Sequence, residues 1–216
     1  MSNKKPVGSN GIIRIHINKK SNDFIKIKLP ENKVDIEKLF ATRFLQVIKE
    51  KKWFKKYENT NLSPNQENDL DFIVNFTCET YLELMEIAPL DYFKTDFENA
   101  PNLYYDYDFA KYILEKIIKK SNKYKSIKDR PIYLLLYITD WKFLLSDTVI
   151  SLLQYWLAEG NHSFTEIYYI TYTIDDSNDL FLIYPTEKEY FKNFNENKYK
   201  KNITYLPDPN KWKSMF

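Results

Sequence analysis

Two short alternations of apolar and polar residues open the chain, IIRIHI at 12–17 and FIKIKL at 24–29, around Lys19-Lys20-Ser21-Asn22-Asp23. Successive strand residues point to opposite faces, so this pattern predicts a β-hairpin with a basic outer face. From 34 to 57 the period changes. Ile36, Leu39, Phe40, Phe44, Val47 and Ile48 recur at helical spacing, which predicts an amphipathic helix. Its far end, 49–56, is a lysine-rich turn carrying Trp53 and Phe54. The polar stretch 59–68, with Pro64, reads as a loop.

Strands are predicted at 70–76 and 80–87, joined by a turn near Cys78 and Glu79, with Pro89 closing the second. Segment 90–105 reads as irregular, and Asp106 or Asp108 offers a cap for a helix over 109–124. Phe109, Ile113, Ile117 and Tyr124 mark its buried side. After Pro131 the run IYLLLYI, 132–138, is almost continuously apolar, as in a central strand covered on both faces. A hydrophobic helix over 141–159 stops at Gly160-Asn161. Strands at 166–174 and 180–184 then flank the acidic turn 175–179. The fold expected is a single α/β domain, a mixed central sheet flanked by helices with an N-terminal β-hairpin. It would occupy 11–184, after a flexible 1–10 and before a polar extension, 185–216, packed on it.

Composition narrows the class. With 17% aromatic residues and only three glycines among 216 residues, the chain is unlike a disordered, Gly/Ser-rich segment. The net charge of +2, from 32 basic and 30 acidic residues, does not by itself call for a polyanion. Cys78 is the sole cysteine, which excludes an intrachain disulfide and favours a reducing compartment. No export signal is visible, and the longest apolar segment, 141–158, contains Lys142, Asp147 and Gln154. The expectation is a cytoplasmic protein with no membrane partner.

Candidate chemistry concentrates between 69 and 86. Period-2 parity places Tyr81, Glu83, Met85 and Ile87 on one face of their strand and Leu82, Leu84, Glu86 and Ala88 on the other. Glu83 thus sits among apolar neighbours. Asp69 and Asp71 share a face of the preceding strand, so Asp71 and Glu83 can converge across the pair. Two carboxylates held together need a cation or a proton between them, and oxygen ligands suit Mg²⁺. In the following helix Lys116, Lys120 and Lys123 form a stripe at i, i+4 and i+7 beside the apolar face. From that border a lysine reaches over the sheet edge towards the carboxylates.

On these residues the sequence resembles the PD-(D/E)XK, or restriction-endonuclease-like, nuclease superfamily. The resemblance is carried by Leu70-Asp71-Phe72-Ile73-Val74, by Tyr81-Leu82-Glu83-Leu84-Met85-Glu86, and by the helix Ile117-Ile118-Lys119-Lys120-Ser121-Asn122-Lys123-Tyr124 with the buried strand after it. It spans about residues 34–184. It implies a Mg²⁺- or Mn²⁺-dependent nuclease acting on DNA, in a bacterial defence or mobile-element setting. Asp71, Glu83 and the Leu84 carbonyl would be metal ligands. Leu70 stands where the family often has proline, and Met85 where it has the motif lysine. Some members move that lysine to the next helix, which nominates Lys120 or Lys123, with Lys116 third. The alternative is an inactive relative acting as a protein-binding, assembly or immunity module, with a protein partner or a second copy.

Other signals add little. His16 and His162 lie far apart with no second ligand, so neither builds a zinc site. Cys78 has no general base near it in sequence. The three aspartates of 175–179 lack the glycine and terminal glutamate of a calcium loop. Trp141, Phe143, Trp156 and Phe164 read as core. Tyr104, Tyr105 and Tyr107 stay open between packing and substrate contact. The basic, aromatic-rich segments 49–56 and 188–201 suit a phosphate backbone or a plain solvated surface.

Overall fold

The strand at Ile132–Tyr137 is buried at every position, because its six consecutive apolar side chains point alternately into two separate cores. In this computed structural model, which describes residues 8–16, 21–50, 61–65, 70–76, 78–172 and 178–209, that strand lies inside a six-stranded mixed sheet. In chain order the elements are β1 (Gly11–His16), β2 (Ser21–Lys26), α1 (Lys33–Glu50), β3 (Leu62–Pro64), β4 (Phe72–Asn75), β5 (Glu79–Glu86), α2 (Leu90–Phe93) and β6 (Leu103–Tyr105). Then come α3 (Asp106–Lys123), β7 (Ile132–Tyr137), α4 (Asp147–Leu157), β8 (Glu166–Tyr172), β9 (Asn178–Tyr184) and β10 (Ile203–Tyr205). The sheet order is β3-β4-β5-β7-β8-β9, with β5, β7 and β8 parallel and the outer pairs antiparallel. The expected α/β domain with a mixed, helix-flanked sheet is what the chain forms.

Each face has its own core. On one, Ile36, Phe40, Phe44, Val47 and Ile48 of α1 pack on Leu82, Leu84, Leu135 and Tyr168. Phe40 stacks on Tyr137 with ring centroids 4.5 Å apart. On the other, α3 and α4 bring Phe109, Ile113, Ile117, Leu152 and Leu153 against Tyr81, Leu134, Leu136 and Tyr169. Truncating a fully buried ring such as Phe44 to alanine costs about 3–5 kcal/mol in cores of this kind.

Several boundaries differ from the sequence pattern, each for a physical reason. The opening hairpin pairs Gly11 with Lys26 and His16 with Ser21, displaced from the expected register, and forms its own two-stranded sheet. The 59–68 loop contains an edge strand, β3, because Pro64 lacks an amide donor and is tolerated only at an edge. The irregular 90–105 segment contains α2 and β6, and β6 pairs with β10 from the C-terminal extension. Neither Asp106 nor Asp108 caps α3. Tyr105 is the N-cap without a side-chain bond, while buried Asp106 accepts the Thr204 hydroxyl at 2.6 Å.

The long apolar helix is shorter than its pattern. Trp141–Phe143 form a separate 3₁₀ turn, and Ser146 starts α4 by accepting the Val149 amide at 3.2 Å. Gly160 ends it with φ +72°, a left-handed conformation that favours glycine. The extension after 184 returns over α4, where Phe191 and Phe194 pack on Tyr155 at 5.8 and 4.7 Å. Asp140 receives the Ser9 amide at 2.9 Å, tying residues before β1 to the domain. Among the described residues no helix is long and apolar enough to cross a membrane.

Candidate active site

The site grows from the alternation of β5. Tyr81 joins the core under α3 and α4, and Leu82 and Leu84 join the core under α1, so Glu83 points towards α3 as parity requires. Its side chain is only 3% exposed. The Tyr124 hydroxyl, at the end of α3, donates to Glu83 Oε1 at 2.9 Å. The Lys120 ammonium rests on the same oxygen. Oε2 is buried with no hydrogen-bond partner among the described residues.

Asp71 immediately precedes β4. Extending the β4–β5 register by one step past Phe72–Leu82 sets it opposite Glu83. Its Oδ2 accepts the Leu84 amide at 2.7 Å, replacing a backbone partner where β4 has ended. In a strand the amide and carbonyl of one residue face the same neighbour. The amides of Tyr81 and Ile87 go to the β7 side, to the carbonyls of Pro131 and Tyr137, so the Leu84 carbonyl faces the Asp71 side. Asp71, Glu83 and that carbonyl therefore border one place at the end of β4.

A third acid that sequence reasoning missed comes from α1. Glu37 is buried at 7% exposure and pairs with Lys33 at 3.2 Å. It follows Ile36 and precedes Phe40 by three, so it lies on the apolar arc of α1. A glutamate in that arc was the available signal. Burial first, and then the charge of Asp71, raise its carboxyl above the ordinary range, against the opposing pull of Lys33 and Lys120. Glu83 is pushed up to about 7, again by burial and then by Asp71, while Lys120 and Tyr124 work the other way. For Lys33, burial alone would lower the ammonium. The acids Glu37, Asp71 and Glu83 outweigh it and raise the pKa. Groups from α1, the start of β4, β5 and α3 thus feel one another's charge.

The other candidates fall apart from this centre. Lys116 bonds Asp91 at 2.6 Å, and Lys123 is exposed at the end of α3, so of the three stripe lysines Lys120 is the one on Glu83. Glu86 faces the opposite side of β5, accepts the Thr139 hydroxyl, and is raised mainly by burial. Tyr104 is buried, with its hydroxyl 2.5 Å from the Leu144 carbonyl, and Tyr107 packs on Trp156 at 5.3 Å. Both pack rather than face the acids, while Tyr105 is exposed. Cys78 is exposed with Thr80 as its neighbour. Asp69, the 51–56 part of the first basic segment, and 175–177 of the acidic turn lie outside the described residues. In the second basic segment Lys188 pairs with Glu159 at 3.4 Å and Lys192 with Glu189.

No three His, Cys, Asp or Glu side chains among the described residues gather tightly enough to make a metal cage. Mg²⁺ asks for less, since one or two carboxylates completed by water and phosphate commonly hold it. The hard oxygens of Asp71, Glu83 and the Leu84 carbonyl fit that ion, and the unpartnered buried Oε2 is the atom most in need of one. No protein-family model matches the sequence, and no curated protein does.

Proposed function

We propose that this protein is a Mg²⁺-dependent nuclease of the restriction-endonuclease-like kind, cleaving DNA phosphodiester bonds. The observation that carries the reading is the placement of Lys120 on buried Glu83 beside Asp71. The strand carries Met85 at the motif position, and α3 brings Lys120 to Glu83. Asp71, Glu83 and the Leu84 carbonyl would hold the ion, which when bound polarises a phosphate and activates water. Tyr124 fixes the rotamer of Glu83 through Oε1 and leaves Oε2 for the ion. Lys120 supplies the positive charge that meets an additional negative charge developing on phosphate oxygens.

The test is cleavage of supercoiled and linear DNA, and of RNA, with Mg²⁺ or Mn²⁺. Loss of cleavage in Asp71→Asn, Glu83→Gln and Lys120→Met supports the reading. Wild-type protein that cuts neither nucleic acid, together with divalent-ion binding unchanged in Asp71→Ala, would overturn it. The second reading, an inactive fold serving as a binding or immunity module, draws on the same contact. The Lys120 ammonium already rests on Glu83 without a metal. That reading requires an absence of Mg²⁺ binding by calorimetry in the intact protein.

A further inference from the structure

We propose that the cavity between the end of β5 and α3 is a nucleobase pocket, suited best to guanine, for a nucleotide flanking the scissile phosphate. The proposal rests on the nuclease reading and adds a substrate subsite to it. The cavity has a volume of about 190 Å³. At roughly 30 Å³ per water that is space for about six waters, which suits one flat heterocycle rather than a whole nucleotide.

Its position follows from two registers. Met85 lies two residues past Glu83 on the same face of β5, and Lys116 lies one turn before Lys120 on α3. The cavity therefore lies one step along the strand face from Glu83 and one helical turn from Lys120. Met85, Ile87, Ala88 and Ile113 give it an apolar lining. The side chain that departs from the nuclease motif thus has a place of its own. With the lysine supplied by Lys120, the strand position is free to carry a polarizable thioether, which packs well against aromatic rings.

The polar rim selects a base over a phosphate. The Asp91 carboxylate already takes the ammonium of Lys116, which leaves no uncompensated positive charge on the rim for an anion. Asp91 is held in place, with Oδ1 receiving the Tyr112 hydroxyl at 2.5 Å and Oδ2 receiving Lys116 at 2.6 Å. The Lys116 bond, then the Tyr112 bond, keep its carboxyl below the usual range, so it remains an acceptor. Each carboxylate oxygen has a second lone-pair site. Two adjacent acceptors match the adjacent N1–H and N2–H₂ donors of guanine. Cytosine and adenine offer an amino group alone, and thymine a single N–H between two carbonyls. The exposed Tyr92 ring, 5.4 Å from Tyr112, adds an aromatic surface beside this wall.

The test uses intact protein labelled at methionine methyls, with the Met85 signal assigned by Met85→Leu, titrated with 2′-deoxyguanosine, 2′-deoxycytidine and thymidine. The Met85 methyl shifts with deoxyguanosine, with thymidine at least tenfold weaker. Asp91→Asn, a change at a largely exposed side chain, abolishes the preference, and Asp71→Asn leaves it intact. A Met85 signal unmoved by saturating deoxyguanosine overturns the pocket, as does an equal response to thymidine. Protein that cuts no nucleic acid yet binds deoxyguanosine through Asp91 removes the nuclease reading and keeps the pocket. Protein that cuts DNA without the methyl shift does the reverse.

Discussion

Asp71 continues the β4–β5 ladder with a side chain, its Oδ2 taking the Leu84 amide at 2.7 Å where the backbone of β4 offers nothing further. The same carboxylate therefore has a structural and a chemical task, and two substitutions separate them. Asp71→Asn keeps an acceptor for Leu84 and should unfold in urea near the wild-type midpoint, with cleavage reduced about 10²-fold or more. Asp71→Ala leaves the Leu84 amide unsatisfied and should cost a further 1–3 kcal/mol or so. Equal stability of the alanine and asparagine variants would show that the amide does not depend on Asp71.

The three stripe lysines should behave differently. Lys120→Met removes the ammonium on Glu83 and should lower cleavage by about 10²–10³-fold. Lys123→Met, at an exposed position outside the Glu83 cluster, should change it by no more than a few-fold. Steady-state cleavage at saturating Mg²⁺ reads both. If Lys123→Met proved the more damaging, the assignment of Lys120 would fail.

How far the chain could be read in advance varies by element. Strand parity alone turned Glu83 away from Glu86, because a period of two survives any error in where the strand begins. The triple choice among Lys116, Lys120 and Lys123 could not be made from spacing, since it depends on where α3 crosses β5 and on Asp91 lying within reach of Lys116. Glu37 escaped notice because its partner charge, Asp71, is 34 residues away in sequence, and helical periodicity says nothing of what a helix faces. β3, β6 and β10 were invisible for a related reason. Three-residue strands take their definition from partners across the fold, not from their own pattern.

Glu37 should prove to tune the ion rather than to be dispensable surface. Glu37→Gln keeps the size of the side chain while deleting a charge that Asp71 and Lys120 both feel. A loss of about 10–100-fold in Mg²⁺ affinity is the magnitude expected for a group supporting metal ligands. Isothermal titration of the two proteins decides it. Indistinguishable affinities would confine Glu37 to its pair with Lys33.

The last expectation joins stability to pH through Glu83. An ordinary glutamate titrates near 4.3 in the unfolded chain, whereas burial and Asp71 hold the folded carboxyl at about 7. Between those values the native state retains a proton that the unfolded state has released, so unfolding releases a proton and stability falls as pH rises. The contribution is fully present below about pH 4, declines through the folded pKa, and is gone above it. Glu83→Gln does not titrate. In urea unfolding with EDTA present, its stability relative to wild type should therefore increase from pH 5 to about pH 7 and level off by pH 8. Mg²⁺ binds the ionised carboxylate, so the stabilisation it gives wild-type protein should grow over the same window and be much smaller in the glutamine variant. A difference between the two proteins that stayed flat across that window would mean that Glu83 enters the fold already ionised, with Lys120 compensating it completely.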